Sequence, residues 1–146
     1  SLDLQVAARG RVPGRAQFRR WARAALAGNR RRRVALTVRV VEAPESARLN
    51  RRYRDKPGAT NVLSFGFDPP PGVNSDLLGD LVICAPLVRR EAEAQDKRES
   101  AHWAHLVVHG ILHLRGYDHD REREATVMER RETRILRALG YPDPYR

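Results

Sequence analysis

The chain has 146 residues, enough for one domain with a real hydrophobic core and too few for two comfortable ones, so residues 1–146 are read as a single domain. Its 28 basic residues against 18 acidic ones give a formal net charge of +10 and a pI near 11.0. Only Lys56 and Lys97 are lysines, so arginine carries the field, and its planar guanidinium favours a polyanionic, phosphate-bearing partner. With Cys84 the lone cysteine, no internal disulfide can form. No apolar run approaches the roughly 18 residues of a membrane span and the first residues lack a signal-peptide pattern, so a cytoplasmic protein without membrane association is expected.

Along the chain, Leu2, Leu4 and Val6 alternate with polar residues at the period of a half-buried strand. After Pro13-Gly14, residues Phe18, Trp21, Ala22, Ala25 and Leu26 form one apolar stripe of a helix whose other faces carry Arg15, Arg19, Arg20 and Arg23. Arg30 to Arg33 form an arginine cluster, a candidate phosphate patch, before a strand over 34–41. Pro44 introduces a helix from about Glu45 to Tyr53, with Arg48, Arg51, Arg52 and Arg54 at or near its end. Asn61 to Phe65 reads as a strand, 68–75 as a proline-rich loop, and Leu81 to Cys84 as a central strand in which Cys84 is a small core residue.

Pro86 starts a polar helix to about Gln95. From Glu99 to Arg115 the apolar residues Trp103, Leu106, Val107, Val108, Ile111, Leu112 and Leu114 surround the helix almost completely, so it must be largely buried. A last helix runs from about Arg121 to Leu139, with Asp120 as N-cap and Gly140 past its end. Strands gathered in the first 85 residues and helices in the remainder point to an α+β domain, a small β-sheet packed by helices.

The densest signal is the run from His109 to His119. His109 and His113 are four apart, so on a helix both imidazoles project from one face, one turn apart, close enough to share an ion. Gly116 is the residue type that ends a helix in the left-handed conformation, and such a turn would swing His119 back toward the other two. Three imidazoles without a fourth protein ligand leave a coordination position open, as in hydrolytic zinc sites, although nickel, copper or iron would also be accepted. The spacing matches the zincin signature His-Glu-x-x-His-x-x-Gly-x-x-His except that position 110 is Gly. A peptidase would lack its general base.

All five histidines lie between 102 and 119, and His102, His105, His109 and His113 share one helical face. For His102 and His105, outer-shell hydrogen bonding, substrate contact or packing outweighs ligation. Asp118 could orient an imidazole or relay a proton, or else form a cap or turn, and Tyr117 reads as core.

These blocks resemble the YbeY family of bacterial rRNA-processing endoribonucleases. The resemblance is carried by Asn50-Arg51-Arg52-Tyr53-Arg54, by Thr60-Asn61-Val62-Leu63-Ser64-Phe65, by Leu78-Gly79-Asp80-Leu81-Val82-Ile83-Cys84, by the histidine block 102–119 and by the closing Leu139-Gly140-Tyr141-Pro142-Asp143-Pro144-Tyr145. It implies a small mixed sheet packed by helices, and a zinc-like ion, Zn2+, bound by His109, His113 and His119. It also implies a functional role for Arg54, which follows Tyr in the family's Tyr-Arg motif. Two departures stand out: Pro57 at a usually acidic position, and Gly66 where many members have Pro.

The implied activity is metal-dependent endonucleolytic hydrolysis of single-stranded RNA, in 16S rRNA 3′-end maturation and ribosome quality control, with rRNA, the small subunit and its assembly factors as partners. In that chemistry Arg54 offsets the charge that grows on the phosphate, and the basic surface from Arg30 to Arg54 holds the backbone without reading bases. The rival readings are a zincin-like metallopeptidase, disfavoured by Gly110, and a non-catalytic ribosome assembly factor with a structural metal.

Overall fold

Residues 1–29, 33–117 and 122–146 are described by the computed structural model; Arg30, Arg31 and Arg32 of the arginine cluster, and Asp118, His119, Asp120 and Arg121, lie outside them. Four strands, β1 (Leu2–Ala7), β2 (Ala35–Val41), β3 (Val62–Gly66) and β4 (Leu77–Cys84), form one sheet in the order β1-β2-β4-β3. β1, β2 and β4 run parallel, and β3 pairs antiparallel with β4 at the sheet's edge. Around it lie α1 (Arg15–Leu26), α2 (Ala43–Arg54), α3 (Ala85–Ala94), α4 (Glu99–Leu114) and α5 (Glu122–Ala138). The expected mixed α+β architecture is the one observed. β4 is central, as read, but it begins at Leu77 and not Leu81, because partners on both sides supply a backbone ladder that Gly79 and Asp80 do not advertise in sequence.

Strand alternation sorts the side chains onto two faces. Leu36, Val38 and Val40 of β2 and Leu81 and Ile83 of β4 enter the main core with α1, α4 and α5. The intervening positions Val41, Leu63 and Val82 form a smaller cluster on the opposite face, against Leu49 and Phe65. Helix α4 is the centrepiece of the thick layer. Its Trp103, Leu106, Val107, Val108, Ile111 and Leu112 are all buried, and it packs on α1, α3, α5, β3 and β4. At about 1.5–3 kcal/mol for each fully buried large side chain, these residues fix the helix more firmly than any propensity could.

The opposite face is only partly covered. Beside α2 a groove of about 560 Å³ remains, with Thr37, Arg39, Asp80 and Phe65 from the sheet facing Leu49 and Tyr53 of the helix. Arg39 is held there by both Glu45 oxygens, at 2.5 and 2.9 Å. Among the described residues no helix is long and apolar enough to cross a membrane.

Candidate active site

The C-terminal end of α4 is closed as the sequence predicts. Gly116 has φ 100°, a conformation that costs an L-residue strain, and the Tyr117 and Gly116 amides donate to Leu112 and His113 carbonyls at 3.0 Å each. These two hydrogen bonds satisfy two carbonyls of the last turn and stop the helix just past His113. His113 is exposed at that end, and His109 lies one turn back, half-buried. The third expected ligand, His119, lies outside the described residues, as does Asp118. Among the described residues no three His, Cys, Asp or Glu side chains converge in metal-holding geometry.

What the structure adds is Glu132. This α5 side chain is fully buried, and its Oε1 receives the His109 Nδ1 hydrogen at 2.8 Å and lies 3.3 Å from His105 Nε2. Its Oε2 accepts the Tyr145 hydroxyl hydrogen at 2.6 Å. Burial pushes this carboxyl up, but the hydrogen bonds from His105, His109 and Tyr145 outweigh it and hold the group at about 2. Burial and the facing carboxylate push the Tyr145 phenol the other way, upward, so it stays a donor.

An ionised acceptor at Nδ1 fixes the His109 tautomer. The proton sits on Nδ1 and the lone pair on Nε2, the arrangement that metal-ligating imidazoles use to hold their ring orientation and basicity. The donor chemistry of His109 and His113 therefore fits a zinc-like ion. Glu132 escaped the sequence reading, although it left a signal: it sits four residues from Met128 and three and four from Ile135 and Leu136, on the buried stripe of an otherwise charged helix.

The other two histidines are separated by their neighbours. His105 shares Glu132 with His109 and packs edge-to-face on Tyr145 at 5.4 Å. His102 turns instead toward α3, 2.8 Å from Glu91 Oε1, which also accepts from Asn61 Nδ2 at 3.0 Å. Burial lowers the His102 pKa despite the Glu91 carboxylate, so the ring is neutral. Tyr117 packs against the main core, and Cys84 is fully buried at the end of β4, its thiol pushed up by burial.

Gly110 has a steric cause. A Cβ built there would lie 2.6 Å from Leu81 Cδ2 and 3.2 Å from Ser64 Oγ, because this side of α4 is pressed onto β3 and β4. Ser64 Oγ donates to the Gly110 carbonyl at 3.3 Å across the same contact. A glutamate at 110 would meet the sheet, which removes the general base of the peptidase signature for a geometric reason.

Arg54 ends α2, exposed, just before Asp55 turns the chain at φ 53°. No ion pair or hydrogen bond joins it to the histidines among the described residues. It is tied to them through β3. Its neighbour Tyr53 packs on Phe65 with ring centroids 5.3 Å apart, while the adjacent Ser64 reaches Gly110 on α4.

The chain is similar to known proteins along nearly its whole length. A family model described as Endoribonuclease YbeY matches residues 10–140. The chain belongs to the YbeY endoribonuclease family. The match spans Arg54, His109, His113, His119 and Glu132. A Methylococcus capsulatus protein named Endoribonuclease YbeY is 57% identical over 145 residues, covering 99% of this chain and 95% of the relative. A Nitrosococcus oceani protein of the same name is 59% identical over 136 residues, covering 92% and 88%. The solution structure of TM1509 from Thermotoga maritima is similar at a TM-score of 0.60 and 22% identity, over 93% of this chain and 88% of that one, a likeness of fold. The YbeY resemblance drawn from the sequence blocks is thereby shown.

Proposed function

We propose that this chain is a metal-dependent endoribonuclease that hydrolyses phosphodiester bonds of single-stranded RNA. Its place is small-subunit 16S rRNA 3′-end maturation and ribosome quality control in the cytoplasm, with rRNA, the small subunit and its assembly factors as partners. Family membership supports the reaction class, and the +10 charge supports a polyanionic substrate. The observation that carries the metal is the buried Glu132 carboxylate on His109 Nδ1, a contact that a merely solvated surface histidine has no need of.

His109, His113 and His119 would hold the ion, which when bound supplies Lewis-acid activation of water or phosphate oxygen. Glu132 keeps His109 in the ligating tautomer, and His105 and Tyr145 keep Glu132 in place. Arg54 pairs with the phosphate through its planar fork and offsets the charge that grows there. With position 110 turned into the sheet, α4 brings no carboxylate base beside His109, and the candidates for passing a proton are His105 and, outside the described residues, Asp118.

Single-turnover cleavage of rRNA 3′-end fragments tests this reading. Zinc-loaded wild type should cut the single-stranded fragment and spare its duplex. Arg54→Ala should slow cutting about 100-fold or more, and His113→Ala should abolish it together with stoichiometric zinc. Equal cutting by all three proteins would refute the assignment.

A further inference from the structure

The open face of the sheet carries a feature that the cleavage chemistry leaves unused. Tyr53 is 58% exposed, a large ring in water, yet it is not loose. Phe65 holds it edge-to-face at 5.3 Å and 66°, and the Arg52 guanidinium lies over the ring at 5.3 Å from its centroid. Both aromatics line the groove beside α2. The groove's interior is unsuited to phosphate, because Asp80 stands in it and Arg39 is already claimed by Glu45. Arginines without a salt bridge among the described residues gather on the exposed end of the helix instead, at Arg51, Arg52 and Arg54.

A flat apolar ring inside and cations outside is the division that a splayed nucleotide needs, with the base stacked and its backbone on the rim. We propose that Tyr53 and Phe65 form a base-stacking subsite that takes one unpaired nucleobase of the RNA strand, with Arg52 closing over the base and the neighbouring phosphate passing to Arg54. The subsite rests on the endoribonuclease reading and adds to it a place for the substrate. β3 is an edge strand whose consecutive residues Phe65 and Ser64 serve this groove and α4 respectively. A strand held at Tyr53 therefore has one strand edge to cross to reach the histidine side. The subsite also supplies a reason for single-strand preference, since a paired base cannot be splayed onto a ring.

Binding distinguishes the subsite from catalysis. The probe is a short fluorescent single-stranded RNA, measured by anisotropy with the zinc-loaded protein over a range of salt, beside its duplex and a version with abasic sugars. Tyr53→Ala should weaken single-strand binding about ten- to hundred-fold, leave duplex binding and the salt slope unchanged, and lose its effect on the abasic strand. Tyr53→Phe should bind as wild type does. Arg54→Gln should instead flatten the log–log salt slope by about 0.7, the signature of one lost phosphate contact. Because Tyr53 is exposed, the alanine variant keeps the wild-type melting curve, and Phe65→Ala gives a second reading of the same stack. Wild-type affinity in Tyr53→Ala, or an equal loss on duplex and abasic RNA, would overturn the subsite. A wild type that binds single strands through Tyr53 but never cuts them would leave the subsite standing and refute the nuclease reading.

Discussion

Replacing Glu132 by Gln keeps the side chain's size and removes its charge, so it isolates what the carboxylate does for His109. In the folded protein the group is held at about 2 against an ordinary value of 4.5. At about 1.4 kcal/mol for each pH unit of displacement, that corresponds to roughly 3 kcal/mol of stability. The folded value is the lower one, so the contribution is complete above pH 4.5 and is lost as pH falls through about 2. A domain with a total stability of about 5–15 kcal/mol survives the loss of about 3, so the variant can be purified and titrated with metal.

The neutral amide also offers an N–H where the carboxylate offered only oxygens, so it no longer forces the His109 proton onto Nδ1. Removing such an orienting partner weakens metal binding by about 10- to 100-fold. The assay is zinc affinity by chelator competition, with urea unfolding in the presence of chelator as the separate stability readout. Tyr145→Phe is the control. It removes the 2.6 Å hydrogen bond to Oε2 and should cost about 1.5–3 kcal/mol of stability, as bonds to charged groups do, while leaving the His109 contact and the zinc affinity nearly intact. If Glu132→Gln unfolds more easily yet binds zinc within twofold of wild type, the carboxylate is a structural anchor and the tautomer argument fails.

Gly110→Glu restores the protease signature on paper. With the first added carbon 2.6 Å from Leu81 Cδ2, it should destabilise the protein by at least the roughly 1–3 kcal/mol of an overpacked core and give no hydrolysis of labelled peptides; a wild-type melting temperature would contradict the packing argument. His102 is held neutral by burial with its pKa lowered below 6.5, so the unfolded chain takes up a proton that the native one refuses. Its contribution is therefore present above pH 6.5 and falls away as pH drops toward the lowered value. Unfolding midpoints between pH 7 and 5 should decline less steeply in His102→Gln than in wild type, and parallel profiles would count against the assignment.

Much of this architecture was legible because periodicity reports burial. The all-round apolar pattern of α4 required a central helix, and the 109/113 spacing with Gly116 required two imidazoles near a tight helix end. Sheet order was not legible, since nothing local in Leu77–Cys84 says that it inserts between β2 and β3. The shared face of His102, His105, His109 and His113 was real as an angle on a helix. It could not show that α3 would claim the first and α5 the next two. Glu132 and Tyr145 meet only because the chain turns back after α5 through Gly140 and Pro142, a tertiary event with no spacing signature. The reason for Gly110 was likewise inaccessible, because the opposing Leu81 belongs to a strand 29 residues away in sequence.

The dense packing of α4 has a thermodynamic consequence. A helix in contact with α1, α3, α5, β3 and β4 cannot loosen at one end without disturbing the whole molecule. Anything bound by the imidazoles at its C-terminal end is then linked to the global folding equilibrium. A ligand at a hundred times its Kd adds about 2.7 kcal/mol to that single cooperative transition. Occupancy of the site and the melting temperature of the entire chain become two readings of one equilibrium.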